Sequence, residues 1–322
     1  MGVSVKPGYI YRIRNRTSPN LILELSNGSS EDGTQAQGWS PVNSGNAFFN
    51  QIWLLTQITI ATGQGGDSTD GPRATQAWTL QEIKSGTFLD LSQGGTKRGT
   101  KIQGWEGPAP GQQNPNQDWL LVPASDNGYQ IINARANLAV DLSQGGSKDG
   151  TPVWGWTPDA GNTNQIWDFE QWSYSSSDLL SSIKSSMPLK SGVDVVSYTY
   201  PADPRYLILP YNLYFKIWAD NMQIYKYRPV LFDCDDFAFV FKSAVAQYGY
   251  QNLQDKNVGQ VALLAGIVYG QKSSGSHAFN WTMGPTTDND LYEPYGPFPW
   301  YFEPQNGLPR FQTGYTMYFV IF

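Results

Sequence analysis

Apolar and polar residues alternate in short runs, and the runs recur. Leu89-Asp90-Leu91 leads into Ser92-Gln93-Gly94-Gly95, and the same order returns as Val140-Asp141-Leu142-Ser143-Gln144-Gly145-Gly146. A looser copy, Leu23-Glu24-Leu25-Ser26-Asn27-Gly28, precedes both. Such alternation predicts half-buried strands, since successive side chains point to opposite faces, and the Ser/Gly stretches predict turns. Each copy runs on through Gly-Thr to Gly-Trp at Trp39, Trp105 and Trp156, and the acidic residue precedes that Trp by 15 positions every time. Each closes with Asn-Gln-x-Trp: Asn50-Gln51-Ile52-Trp53, Asn116-Gln117-Asp118-Trp119 and Asn164-Gln165-Ile166-Trp167. Three units of short strands predict a pseudo-threefold closed β structure. The acidic residues are 66 and 51 positions apart, and the extra length falls in 57–75, whose glycines predict a long surface loop.

After Trp172 the pattern changes. Nine of the 12 tryptophans lie in 1–172, so the boundary predicts a first domain over 1–172 and a second over 173–322. A serine-rich stretch from Ser173 predicts a linker entering a helix near Asp178. Phe237, Val240, Phe241, Ala244, Val245 and Tyr248 fall at helical spacing, with Gly249 as the expected stop. Val261–Val268 reads as one buried strand. His277, Phe279 and Trp281 are expected on one face of a later strand, and Trp300–Gly307 reads as a strand ending in a turn.

Composition narrows the function. Charged residues are 15% of the chain, with 33 glycines and 21 prolines, which fits a turn-rich β protein better than a coiled coil or a disordered chain. The net charge of −6, without a basic stripe, argues against nucleic acid. No run is apolar enough for a transmembrane segment. The N-terminal stretch from Met1 to Pro7 lacks a secretory signal, so cytoplasmic synthesis is expected if it is the native start. One cysteine, Cys234, excludes an internal disulfide, and with one histidine, His277, any Cys–His chemistry must use this pair.

Cys234 stands at the expected start of the helix, where unpaired N–H groups and the macrodipole favour a thiolate. A cysteine at a helix start, a histidine on a later strand and a carboxylate on the next is the order of papain-like proteases. Glu293 and Glu303 compete for the third place, and Glu303 is preferred. Asp233, Asp235 and Asp236 crowd the cysteine with negative charge. They are either first-turn caps or, with Gln305, hard oxygen ligands suited to calcium.

The Gln-x-Trp units resemble the ricin-B-type β-trefoil lectins over about 5–172. That resemblance implies a galactose-type sugar in each unit: at Asp90, Gln103, Trp105, Asn116 and Gln117 in the second, and at Asp141, Trp154, Trp156, Asn164 and Gln165 in the third. The first offers Glu24, Gln37, Trp39, Asn50 and Gln51, and its longer acid makes it the site expected to be weakest. Carboxylate plus amide suits a sugar hydroxyl, and an aromatic ring suits the less polar sugar face. Trp53, Trp119 and Trp167 are expected in the core. The segments Phe232–Ala238, Lys272–Trp281 and Phe302–Gly307 are closely similar to the mushroom chimerolectins, the family of the Marasmius oreades agglutinin and the Polyporus squamosus lectin. This implies a fold of an all-β trefoil followed by an α+β papain-like domain that is calcium-dependent and forms a homodimer. The expected partners are galactose-containing or sialyl-galactose glycans, and the expected role is a defence toxin reaching external cells on release or ingestion. The alternative is a pure dimeric lectin whose second domain serves only dimerisation. No pair of carboxylates announces a glycosidase.

Overall fold

The structure is a computed structural model that describes residues 4–62, 73–192, 203–253, 261–285, 298–310 and 313–322. The chain divides into two compact units that part between Glu170 and Gln171.

The first unit is one 12-stranded sheet. Each repeat supplies four strands: Ile10–Asn15, Ile22–Leu25, Thr34–Trp39 and Trp53–Thr62, then Arg73–Glu82, Phe88–Leu91, Thr100–Trp105 and Trp119–Pro123, then Tyr129–Asn133, Ala139–Leu142, Thr151–Trp156 and Ile166–Gln171. The third strand of each repeat pairs with the third strands of both others, which closes the structure about a pseudo-threefold axis. The Gln35 amide lies on that axis within hydrogen-bond reach of the Ala36, Ile102 and Val153 carbonyls, one from each repeat. This is a β-trefoil. Trp53, Trp119 and Trp167 are fully buried, and each indole N–H donates at 2.9 Å to the carbonyl preceding the acidic residue, at Leu23, Leu89 and Val140. Those donors fix the strand that carries the acid, while the flanking Leu25, Leu91 and Leu142 fill the core.

Of the 57–75 segment expected as a loop, 57–62 and 73–75 are strand, and 63–72, which hold its glycines, lie outside the described residues. Trp53–Thr62 and Arg73–Glu82 form a continuous antiparallel ladder from Trp53↔Glu82 to Thr62↔Arg73. Thr56, Ile58, Thr59, Ile60 and Thr62 are β-branched and favour the extended chain.

The second unit holds helices α1 (Ser176–Ser186), α2 (Tyr211–Asn221) and α3 (Cys234–Asn252), a three-stranded sheet and a five-stranded one. The expected serine linker is not one: Ser173–Ser175 is a strand paired with Arg205–Leu207. Ser175 then caps α1, its hydroxyl accepting from Asp178 N–H while the Asp178 carboxylate accepts from Ser175 N–H. The apolar run 261–268 is cut in two. Val261–Leu263 joins the small sheet and Gly266–Lys272 the large one, because Leu264 donates to the Leu207 carbonyl while its own carbonyl accepts the Tyr214 hydroxyl, and Lys242 takes the Ala265 carbonyl. Helix α3 runs past Gly249, where a Cβ would come 3.1 Å from Leu263; the glycine serves packing rather than termination.

The large sheet has the order Leu308–Arg310, Pro299–Glu303, Gly275–Met283, Gly266–Lys272, Thr316–Ile321. In the strand Gly275–Met283 every residue from Ala278 to Met283 is buried, so the alternation expected at His277, Phe279 and Trp281 has no exposed counterpart. Helix α3 covers one side, with the Asn280 amide donating to the Ala238 carbonyl at 3.0 Å. Phe241 stacks on Phe302 at 4.7 Å and Tyr214 packs against both, which locks α2, α3 and the strand of Glu303 together. Among the described residues no helix is long and apolar enough to cross a membrane.

Candidate functional site

Each trefoil repeat presents the same arrangement. The acid and its partner face one another across adjacent strands, Glu24 opposite Gln37, Asp90 opposite Gln103 and Asp141 opposite Trp154. Gln37 donates to Glu24 at 3.0 Å and Gln103 to Asp90 at 3.1 Å. The glutamine of Gln-x-Trp supplies the second donor: Gln51 to Glu24 at 3.0 Å, Gln117 to Asp90 at 3.3 Å and Gln165 to Asp141 at 2.9 Å. The same amides also donate to the carbonyls of Ser40, Glu106 and Thr157. Gln51, Gln117 and Gln165 are thus buried behind the carboxylate and position it. In the third repeat Trp154 stands in the place of Gln37 and Gln103, and Asn162 is the second donor to Asp141, at 3.2 Å. Asn162 was missed in the sequence, although Asn114 stands at the matching place in the second unit. Burial pushes the carboxyls of Glu24, Asp90 and Asp141 above the ordinary range, and the amide hydrogen bonds pull them back.

Beside these acids stand the exposed tryptophans, Trp39 at 36%, Trp105 at 41% and Trp156 at 41% of full exposure. Asn50, Asn116 and Asn164 lie over Gly28, Gly94 and Gly145, whose φ angles are +57°, +61° and +62°. A Cβ there would meet the Asn oxygen at 2.3 to 2.7 Å, so both backbone conformation and space require glycine. In the first repeat Lys84 Nζ also donates to Asn50 Oδ1 at 2.8 Å. The third repeat forms a cleft of about 420 Å³, lined by Asp141, Trp154, Trp156, Asn162 and Asn164 with Gly99, Ser143 and Gln144.

Each site lies where two repeats meet. The glycine of one repeat's Gly-Thr pair donates to the glycine carbonyl of the next repeat's Gly-Trp pair: Gly33 to Gly104, Gly99 to Gly155, Gly150 to Gly38. The residue before that glycine fastens the loop after the neighbouring tryptophan. Asp149 accepts from Ser40 N–H at 2.7 Å, Asp32 accepts from Glu106 N–H at 2.6 Å, and Arg98 Nε donates to Thr157 Oγ1 at 2.7 Å.

In the second unit Cys234 opens α3. Asp236 turns back to accept from Asp233 N–H at 3.0 Å and so caps the helix. Backbone N–H groups of Asp235, Val230 and Cys234 help lower the Asp233 carboxyl, and Val230 has φ +67°, a strained conformation for a β-branched residue. Burial raises the Cys234 thiol, a hydrogen bond from Ala278 N–H lowers it, and the charges of Asp233 and Asp235 raise it again. Ala278 follows His277 on the strand. His277 Nε2 is 2.7 Å from Glu303 Oε2, across neighbouring strands. Glu303 is buried and also meets Arg310 Nη2 at 3.2 Å. Arg310 was not anticipated, although the hairpin register about Gly307 puts it opposite Tyr301, two residues from Glu303. The turn after Glu303 is clamped by α2, whose Trp218 indole donates to the Pro304 carbonyl at 2.8 Å and covers Gly307.

The ligand atoms of Asp233, Cys234 and Asp235 lie within 4.8 Å of one another. Asp233 and Asp235 share a hydrogen bond that lowers the Asp233 carboxyl and raises that of Asp235, as a like-charged pair requires. Gln305 is held by its backbone N–H on Glu303 Oε1 at 3.4 Å, and among the described residues no contact joins it to the aspartates. Glu293 lies outside the described residues.

Comparison with known proteins agrees with this architecture. The family model "Ricin-type beta-trefoil lectin domain-like" matches residues 2–105, 49–156 and 115–179, overlapping stretches that together cover more than half the chain. The model "Agglutinin C-terminal" matches residues 206–307. The Polyporus squamosus lectin, solved bound to Neu5Acα2-6Galβ1-4GlcNAc, is 28% identical with a TM-score of 0.73, the match covering 99% of this chain and 100% of that one. A structure described as the PSL1a–E64 complex is also 28% identical, with a TM-score of 0.72 and the same coverage. No curated protein sequence matches the chain. With its threefold acid–tryptophan sites and its agglutinin C-terminal region, this chain belongs to the ricin-type β-trefoil lectins and to the fungal lectin family of the Polyporus squamosus lectin.

Proposed function

We propose that the chain binds galactose-type glycans through its trefoil and cleaves peptides with its second unit. The observation that carries the first part is the thrice-repeated pairing of a buried, amide-held carboxylate with an exposed tryptophan. The carboxylate accepts from sugar hydroxyls while the indole covers the less polar sugar face. A relative matched over its whole chain and bound to a sialyl-galactose glycan supports this reading. Weak sites on one chain gain avidity by acting together.

The His277–Glu303 pair and the Ala278 contact of Cys234 support a cysteine peptidase. Glu303 accepts the Nε2 proton, which leaves His277 Nδ1 free to take the proton of the Cys234 thiol. The sulfur attacks the peptide carbonyl, the protonated imidazole returns its proton to the leaving amine, and water then hydrolyses the thioester. A relative in complex with E64, an epoxide that alkylates cysteine peptidases, supports the same reading. Calcium belongs to this proposal through the family resemblance and the donor chemistry. Asp233 and Asp235 are adjacent hard oxygen donors of like charge, and a bound cation neutralises charge that opposes a thiolate. These two would be supplemented by backbone oxygens or water, and Asp236 is engaged as a cap.

A second reading, a lectin whose second unit only dimerises, is favoured by the apolar loop before α3, where Val230 is 92% and Leu231 72% exposed. One set of measurements separates the two. Asp90→Ala with Asp141→Ala should abolish capture on immobilised galactosides, and binding retained by the folded double variant would overturn the site assignment. E64 should label Cys234 in calcium and not in chelator. Absence of labelling and of peptide cleavage in both conditions would leave the dimerising lectin.

A further inference from the structure

The three sugar sites share their acid and their tryptophan but not their rims. Each rim comes from the neighbouring repeat's Gly-Thr turn. The turn beside Trp39 carries Lys148-Asp149, that beside Trp105 carries Glu31-Asp32, and that beside Trp156 carries Lys97-Arg98. The residue after the second tryptophan, Glu106, adds a further negative charge, whereas Ser40 and Thr157 at the matching places are neutral. The first rim is therefore balanced, the second acidic on balance, with Glu31, Asp32 and Glu106 against Lys101 Nζ on the Gly33 carbonyl, and the third basic.

Resting on the lectin reading above, we propose that the third site selects glycans bearing an anionic group on or beyond galactose, with Arg98 as the selecting residue, and that the acidic second site takes neutral glycans. The Arg98 guanidinium lies 5.9 Å from the Trp156 ring centroid, so a sugar seated on that ring presents its substituents to the guanidinium. Nε is fixed on Thr157 Oγ1 at 2.7 Å, and among the described residues no carboxylate pairs with the Nη atoms. A guanidinium anchored by Nε offers its remaining N–H groups to a carboxylate or sulfate, a geometry that a lysine does not reproduce. At the second site the Asp32 carboxylate is anchored at 2.6 Å by Glu106 N–H and acts electrostatically on Asp90, so an anionic substituent there meets repulsion. These distances are shorter than the screening length of about 8 Å in physiological salt, so each rim charge acts on a substituent held at its own site.

The test follows the indole N–H signals of Trp39, Trp105 and Trp156 by NMR in the full-length chain. The probes are neutral, sialylated and sulfated N-acetyllactosamine, each at low and high salt. Both anionic glycans should perturb Trp156 first, with salt weakening that binding, and the tighter of the two identifies the preferred anion. The neutral glycan, read at Trp105, is the control. Arg98→Asp should weaken anionic binding at Trp156 by about three- to tenfold. Asp32→Arg should create a response at Trp105 to the same anions. Anionic glycans that perturb Trp105 as strongly as Trp156, or an Arg98→Asp variant with an unchanged preference, would overturn the proposal and leave the lectin reading standing. No response of any indole to any of the three glycans would instead remove the lectin reading itself.

Discussion

The two units of this chain place a buried carboxylate behind a reactive surface in different ways. In the trefoil Glu24, Asp90 and Asp141 are each held by two side-chain amides and stand beside an exposed ring. In the second unit Glu303 is held once, between His277, Arg310 and a turn clamped by α2. A thrice-built site tolerates variation: an extra methylene at Glu24, Trp154 for a glutamine, Arg98 for an aspartate. A site built once has no spare copy, and its supports come from distant parts of the sequence.

The comparison is broken most severely at Glu303. A glutamine there would keep the shape but could donate its amide N–H to His277 Nε2, forcing the proton onto Nδ1, where it blocks proton uptake from Cys234. Glu303→Gln should slow E64 alkylation and peptide cleavage by about 100-fold or more, with sugar binding intact. Glu293→Gln serves as the parallel variant. A severe loss in that variant alone would move the orienting role to Glu293.

Within the trefoil, two tryptophans of one repeat should respond in opposite ways. Trp119 is fully buried with its indole bonded to Leu89, so Trp119→Ala should cost about 3–5 kcal/mol in denaturant unfolding. Trp105 is 41% exposed, and Trp105→Ala should change stability by about 0.5 kcal/mol or less while removing glycan binding at that site. Equal destabilisation by both would mean that Trp105 is a structural residue.

Repetition also explains what could be read from the sequence. The acid-to-Trp spacing recurs three times, so the chain supplies its own comparison, and the strands, the core tryptophans and the exposed ones follow from it. The helix after Cys234 was legible because its apolar positions keep helical spacing over a long stretch. Other single-copy features were not. Helix α2 buries Leu213, Tyr214 and Ile217 beneath an aromatic-rich sequence with little polar contrast, and it passed unrecognised. The run 261–268 has nothing within it to announce a break, since the groups that capture Leu264 and Ala265, from Tyr214 and Lys242, lie far off in sequence. Arg310 becomes visible only once strand register is known, and Asn162 once the turn before Gln165 is seen to face Asp141. The Arg98 rim needed the pairing of neighbouring repeats, which the linear spacing does not display.

The smallest expected effect separates two kinds of buried acid within the trefoil itself. The three site acids each receive two side-chain amide donors. Glu82 is fully buried and instead receives only local donors in its own turn, among them Lys84 N–H at 3.1 Å and Ser85 N–H at 2.7 Å. Burial dominates, pushing its carboxyl from the ordinary 4.5 up to about 7. The folded state therefore holds a proton that the unfolded chain has released between those two values. Stability is greatest at and below about pH 4.5 as far as Glu82 is concerned, and it declines as pH rises towards 7. Asp118, pushed by burial from 3.8 to about 6, adds a decline of the same sign at lower pH. Glu82→Gln cannot ionise, so its melting temperature should gain on the native chain between pH 5 and pH 8, while Asp118→Asn should gain over a window shifted to lower pH. The consequence reaches the first sugar site only, because Lys84, in the turn that Glu82 holds, donates to Asn50 Oδ1. Melting curves of the native chain and Glu82→Gln that stay parallel across that range would show that Glu82 is ionised throughout, its local donors then offsetting burial.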